Sequence, residues 1–523
     1  MSKTRQLLRR EITYSTAKKE EVNILHQLKY PSQQADFINL VQSRSSWIKA
    51  VVSHHLNLSS DDACSVSNVD DWLGGTYNLC VPVTVAGWKG KKQAGDRVIL
   101  RLPLPYRDGE AFRPGNGDEK IRTEAGTYVW LQGQCPEIPI PKLYGFGLST
   151  GRMFTRIDNL SPLSRCVHFV RCCFLSLLGR PVPSEYVPHQ GYSQLAGNTN
   201  IGYMLVEYIE ESAGKMLSES WAEKKNNSTL RSNLYRSLSR LFISLAKIPL
   251  PAIGSFAIDD DGFVHLSNRP LFLGIQELEN ENIPIDIPRD RTYSCVESFV
   301  VDVLSCHNSR LEHQPNAIND IMDYASQAGA LTAMQAIFPL FFRRDLRRGP
   351  FVFTLTDIHQ SNIFVDEDWN ITSLVDLEWG CSLPVEMLQP PHWFVNQYVD
   401  KIENEDFDNA RKEFMVAFTA EEQGRNLINI PKPLKLSSIM DESWEMGTFW
   451  YQLGMFSPTG IFRLFDHKLK PRFVKKPSDH EAFWQIMPWY WSQDFVNIMV
   501  RKVKDRENYD AQLQEAFEDT HGR

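Results

Sequence analysis

The stretch Thr356-Asp-Ile-His-Gln-Ser-Asn-Ile-Phe-Val-Asp366 runs through the turn Asp366-Glu-Asp-Trp-Asn370 into Ile371-Thr-Ser-Leu-Val-Asp-Leu-Glu-Trp379, and it decides how the chain is read. Short apolar runs, Phe351 to Leu355, Ile363 to Val365 and Ile371 to Val375, read as strands flanking two polar clusters. Asp357 and Asn362 stand five residues apart across an extended loop, and Asp376 lies fourteen beyond Asn362, after a hairpin that folds it back beside Asn362.

That set of side chains has a chemistry. Moving a phosphoryl group from a nucleotide to a hydroxyl needs a carboxylate to orient the hydroxyl and accept its proton. It also needs oxygen ligands for the magnesium that neutralises the phosphates. Asp357, Asn362 and Asp376 are the right types. Magnesium is a hard cation that prefers carboxylate and amide oxygens, so His359 is not a ligand for it. Taken alone, Asp357 in such a loop is equally consistent with a turn in which it caps backbone N–H groups. The ordered company it keeps argues for more.

Part of that company lies upstream. Tyr77-Asn-Leu-Cys-Val-Pro-Val-Thr-Val85 puts Tyr77, Leu79, Val81, Val83 and Val85 on one face at period two, which is strand behaviour. The turn Gly87 to Gly95 leads into a second strand, Arg97-Val-Ile-Leu-Arg-Leu102, making a hairpin. A Gly/Pro-rich loop from Pro103 to Gly117 precedes a helix from Asp118, with an apolar stripe of Ile121, Ala125, Tyr128 and Val129, and prolines 139 and 141 end it. Tyr203-Met-Leu-Val-Glu-Tyr-Ile209 is a further apolar strand.

With these residues in view, the chain resembles the aminoglycoside phosphotransferase and choline kinase group of kinase-like enzymes, and within it the fungal members called phosphotransferase enzyme family proteins. The resemblance covers roughly residues 70 to 400. It implies an α+β, bilobal protein-kinase-like fold, with a small antiparallel β lobe and a large, mainly helical lobe. It also implies ATP and Mg2+ as cofactors and a small-molecule hydroxylated acceptor as partner. Asp357 takes the catalytic-base role, Asn362 and Asp376 hold metal, and His359 is the structural histidine that braces the loop. Glu378 matches an acidic position that often follows the metal Asp and is a third expected metal residue. Trp72-Leu-Gly-Gly-Thr-Tyr-Asn-Leu79 resembles the group's short nucleotide-binding loop, so Gly74, Gly75, Thr76 and Asn78 are expected at the phosphates, where glycine lets backbone N–H groups approach. Arg101 and Glu124 fall where a strand cation and its helix Glu belong, and Glu207 to Ile209 where the hinge offers backbone groups to adenine.

Two positions depart from the group. Thr356 precedes Asp357 where bacterial antibiotic kinases usually carry Gly and protein kinases Arg, which removes the anchor for a phosphorylated activation loop. The strand cation is Arg101 rather than Lys, a planar fork in place of a point charge. Two other readings stay open: a pseudokinase-like scaffold that holds nucleotide without transferring phosphate, and a protein Ser/Thr kinase. Against the latter, no Phe-Gly follows Asp376 and no Ala-Pro-Glu follows that.

Composition bounds the rest. Fifty-six basic and 64 acidic side chains give a net charge of −8, which argues against nucleic acid as a partner, since counterion release needs a basic surface. Nine cysteines in 523 residues, without paired Cys-x-x-Cys knuckles, read as reduced thiols. The N-terminus is charged without an apolar stretch behind it, and no run of about 18 apolar residues occurs, so the expectation is a cytoplasmic protein with no membrane partner. Residues 1–58 read as a helical extension, 59–214 as the nucleotide-binding part with an insertion near 150–200, and 215–523 as the helical catalytic and substrate-binding part. In the insertion, Arg165-Cys-Val-His-Phe-Val-Arg-Cys-Cys-Phe-Leu-Ser-Leu-Leu178 is apolar enough to suggest a buried helix, and the aromatic run Phe483 to Trp491 suggests core.

Overall fold

The computed structural model describes residues 4–88, 96–190, 201–424 and 435–518. Most of the turn Gly87 to Gly95, the last part of the insertion and the end of the C-terminal tail lie outside the described residues. The chain is an α+β protein with several antiparallel sheets. It opens with a two-stranded hairpin, Thr4–Gln6 with Glu11–Thr13, where the sequence suggested helices, and continues into helices α1 (Tyr30–Gln42) and α2 (Ser45–Leu56). Asn57, in the left-handed region at φ 53°, ends α2, a position Asn tolerates better than most residues.

The main sheet contains β1 (Cys64–Val66), β2 (Leu73–Gly74), β3 (Asn78–Val85), β4 (Arg97–Pro103), β5 (Leu143–Gly147), β6 (Arg152–Arg156), β7 (Tyr186–Gln190) and β8 (Tyr203–Glu207). Its spatial order is β1-β3-β4-β8-β5-β6-β7, with β2 also paired to β3. The pleat assigns its two faces. Leu79, Val81, Val83 and Val85 of β3, Val98, Leu100 and Leu102 of β4 and Leu205 of β8 pack against Phe37, Val41, Trp47, Val51 and Val52 of α1 and α2. Met204 and Val206 of β8 and Phe146 of β5 point the other way, onto Ile121, Ala125, Tyr128 and Leu131 of helix α3 (Asn116–Gln134). Each such fully buried side chain contributes about 1.5–3 kcal/mol. The sheet is therefore a layer between helices. Tyr77 does not share the face of Leu79 to Val85: it precedes β3 and joins a different core cluster.

Helix α3 lies between this sheet and a hairpin the sequence reading missed, β9 (Ser255–Ile258) with β10 (Val264–Asn268). The approach depends on Gly126, because a Cβ there would sit 2.8 Å from the Phe256 carbonyl carbon and oxygen.

Residues 356–379 and the strands on either side of them form two strand pairs joined at their ends. β11 (Phe351–Leu355) pairs along its whole length with β14 (Gly380–Pro384), and β12 (Ile363–Val365) pairs with β13 (Ile371–Leu374). The loop 356–362 connects the first pair to the second, and the loop 375–379 connects it back. The two polar clusters thus occupy the two crossings of one junction.

Two expectations about burial are corrected. The insertion forms helix α4 (Pro162–Leu177), but none of its residues is buried. The aromatic run is core only in part: Phe483, Trp484, Met487 and Trp491 are half-buried against the core and Pro488 is buried, while Trp489 and Tyr490 are exposed. Trp450 with Phe407 and Phe449 forms an aromatic cluster that is core.

Candidate functional site

Pairing of β12 with β13 sets Ile363 opposite Leu374, and the Val375 N–H donates to the Asn362 carbonyl at 3.0 Å, which brings the residues before Asp376 against Asn362. Asn362 is buried, and its Nδ2 donates to the Asp357 backbone oxygen at 2.9 Å and to Asp357 Oδ2 at 3.2 Å. That fixes the amide with Nδ2 toward Asp357 and leaves Oδ1 on the other side, where it accepts from Ser361 Oγ at 3.3 Å. Asp376 is in the left-handed region, φ 55° and ψ 61°, a backbone state that costs a non-glycine residue about 1–2 kcal/mol and is retained only where surroundings enforce it.

The cation arrives from the main sheet. Arg101 on β4 is buried and spends its fork on three carboxylates: Nη1 contacts Glu124 Oε1 of α3, while Nη2 lies 2.5 Å from Asp376 Oδ1 and 2.9 Å from Glu378 Oε2. Beneath it is a second cation that sequence reasoning missed. Lys120, on α3 one turn before Glu124, is 1% exposed and reaches Asp108 Oδ1 at 3.1 Å, Glu378 Oε2 at 3.3 Å and the Tyr77 carbonyl at 3.1 Å. The only sequence signal for it is its spacing: i, i+4 from Glu124 puts both on one helix face.

Negative charge still dominates. Asp357 is exposed at the surface of the junction, yet desolvation by the protein crowded around its carboxyl first, then Glu378 and Asp376, push it up to about 7, with the Asn362 bond pulling the other way. Burial also raises Asp376, against the opposing pull of Arg101. Burial works to raise Glu378 as well, yet Lys120, Arg101 and the Asn78 amide together hold it below the ordinary glutamate value. Glu378 therefore sits ionised within the protein, 3% exposed. It anchors the two cations rather than facing the cleft.

The other expected residues divide. Gly74 is the exposed last residue of β2, paired with Leu79, and Gly75 and Thr76 lie in the exposed turn that follows. The Gly75 N–H is committed to the Asn78 carbonyl at 2.8 Å, and a Cβ at Gly75 would meet that oxygen at 3.0 Å, so this glycine serves the tight turn and that amide is not directed at a phosphate. Thr76 Oγ1 accepts from Arg9 of the N-terminal segment at 3.0 Å. Asn78 is buried, donating to Glu378 Oε2 at 2.9 Å, which corrects the expectation that it touches nucleotide. At the hinge, Glu207 exchanges bonds with Lys142: its N–H donates to the Lys142 carbonyl at 2.8 Å and its Oε2 accepts the Lys142 N–H at 3.0 Å. Its amide is therefore spent. Arg97 clamps the next turn by pairing with Glu210 and stacking 3.9 Å over Tyr208, and Ile209 lies between them in sequence, half-buried.

His359 is exposed, touching Ser361 Oγ at 3.4 Å and the edge of Trp393. The bracing expected of it falls to Trp393, whose Nε1 donates to the Ile358 carbonyl at 2.7 Å. Thr356 ties the two crossings together, its hydroxyl donating to the Trp379 carbonyl at 2.8 Å.

The donor set fits magnesium: Asn362 Oδ1 and the Asp376 carboxylate are hard oxygens beside an excess of negative charge. Among the described residues no group of three or more His, Cys, Asp and Glu forms a metal cage. Magnesium does not need one, because it usually keeps waters and takes one or two protein ligands together with substrate phosphates.

Neither a protein-family model nor a curated protein matches this chain. Among solved structures, it is similar to an ethanolamine kinase of Plasmodium vivax, with 11% identity over 87% of this chain and 83% of that one and a TM-score of 0.32. A likeness at that level carries no argument about function, which rests on the site itself.

Proposed function

We propose that the protein is an ATP- and Mg2+-dependent phosphotransferase that phosphorylates a hydroxyl of a small molecule. One observation carries this reading: Asp357, Asn362 and Asp376 meet at the junction of the two strand pairs, and Arg101 of the main sheet, held by Glu124 of α3, reaches that junction.

In this reading Asp357 accepts the acceptor hydroxyl's proton. A carboxyl titrating near 7 is well matched to that task at neutral pH, because its ionised fraction and its basicity are both substantial. Asn362 orients it through the 3.2 Å bond from Nδ2 while offering Oδ1 to metal, and Asp376 offers its carboxylate. Bound there with nucleotide, magnesium supplies positive charge to the phosphates. Arg101, kept ionised by three carboxylates, adds fixed positive charge that requires no rearrangement as the phosphoryl group moves. Catalysis is then mainly positioning and electrostatics.

The test is magnesium-dependent ATP consumption by the full chain against a library of hydroxylated small molecules, with Asp357→Asn as comparator. Consumption that depends on an added acceptor and on Asp357 supports the reading. Mg-ATP binding with no consumption on any acceptor supports a scaffold instead.

A further inference from the structure

Helix α4 is built inside out. Placed at 100° per residue, Leu163, Val167, Val170, Phe174 and Leu177 follow i, i+4, i+7, i+11, i+14 and share one face. That face is the exposed one, Phe174 at 61% and Leu177 at 85%. Contact with the rest of the chain is made instead by the opposite edge, where His168, Cys172 and Leu175 are the half-buried residues. Arg171 stacks on Phe263 of the β9–β10 hairpin, at 5.5 Å. A surface helix ordinarily turns its apolar stripe to the core, and a contiguous exposed patch of this kind marks a binding surface.

Charge identifies what it binds. From Asn159 to Ser184 there is no acidic residue, while Arg165, Arg171 and Arg180 are present, in a chain whose net charge is −8. On the helical wheel Arg171 lies at one margin of the apolar arc, Arg165 lies near the opposite side and donates to the Asp158 and Leu160 carbonyls, and Arg180 is exposed just past the end of the helix. An exposed apolar face in a stretch that carries arginines and no acidic residue matches the boundary between acyl chains and anionic headgroups. At 16 residues the helix is too short to cross a bilayer, and no described helix is long and apolar enough to do so.

We infer that α4 docks the protein on an anionic lipid surface, with the helix lying in the plane of the interface and Leu163, Val170, Phe174 and Leu177 inserted. This departs from the expectation of no membrane partner. The inference does not depend on the proposed phosphotransferase reading.

The test is co-sedimentation of the full chain with vesicles of phosphatidylcholine alone and of phosphatidylcholine containing phosphatidylserine, beside the variant Val170→Asp/Phe174→Asp. Both substituted positions are exposed, so an unchanged Tm verifies that the variant folds. The wild type is expected to partition onto the phosphatidylserine vesicles, less so as salt rises, and the variant at least about tenfold less. Absence of binding to those vesicles, or equal binding by the variant, overturns the inference. A dimer that the variant dissolves, with no vesicle binding, also overturns it and assigns the face to a second copy of the chain.

Discussion

Arg101 Nη2 and Asp376 Oδ1 are 2.5 Å apart, 275 residues apart in sequence, and join the main sheet to the junction that carries Asp357. The same guanidinium also holds Glu124 and Glu378, so it is the main electrostatic tie between the two sheets. Removing one member of a buried ion network leaves the others uncompensated. Arg101→Met is therefore expected to lower stability by about 3–5 kcal/mol, measured by denaturant unfolding. Arg101→Lys should recover only part, because a point charge cannot replace a fork that serves three carboxylates. A wild-type unfolding midpoint for Arg101→Met would remove the network from the account.

Asp357→Asn keeps the shape and an acceptor oxygen for the Asn362 amide but cannot take a proton. It should reduce kcat by about 10²- to 10⁴-fold while Mg-ATP affinity, read by calorimetry, stays at the wild-type level. A parallel loss of affinity would mean that Asp357 binds nucleotide instead.

The raised Asp357 carboxyl also sets a pH dependence. Its folded pKa, about 7, lies above its ordinary value of 3.8, so the folded state holds the proton more tightly than the unfolded chain. Two consequences have opposite signs. Activity should fall as pH drops below about 7, because the base is then protonated. The stability contribution of the protonated form is complete below the ordinary value and is lost as pH rises through 7, so Asp357→Asn should raise Tm at alkaline pH and leave it unchanged in strong acid. Thermal scans of both proteins across pH check this, and identical Tm profiles would contradict it.

A second titration tests the packing of α2 on the sheet. His54 Nε2 lies 2.6 Å from His189 Nε2 on β7, and burial, aided by His189, lowers His54 to about 4. Stability is then present above the ordinary histidine value of about 6.5 and is lost as pH falls toward 4, because the unfolded chain takes up a proton that the folded one resists. His54→Gln should flatten the fall in Tm over that range.

The parts of the fold legible in the sequence are those with a strict period. Leu79, Val81, Val83 and Val85 announce β3 by alternation, and the spacing of Asp357, Asn362 and Asp376 points to one junction, which Arg101 also reaches. Burial was harder to read, because it depends on what a residue meets from another part of the chain. Lys120 lies in a helix turn where lysine is usually solvated, and only Asp108 and Glu378, brought from elsewhere, make it a core cation. Glu378 looked like a metal ligand and is an anchor for two cations. The apolar composition of α4 pointed to the interior, yet the helix meets the protein through His168 and Cys172. Tyr77 continues the alternation of β3 in sequence but precedes the strand in space. The β9–β10 hairpin is short and half-exposed, and offers neither a long alternation nor an apolar run.

Transfer of phosphate to a small molecule is the central claim, and labelled ATP tests it most directly. The purified protein and its Asp357→Asn variant would each be incubated with cell extract, magnesium and ATP carrying a labelled γ-phosphate, and the small-molecule fraction would be resolved for new labelled species. The account predicts a labelled phosphate ester that forms with the wild type, is absent with Asp357→Asn and disappears when magnesium is chelated. No labelled small molecule, or the same one with both proteins, would contradict it.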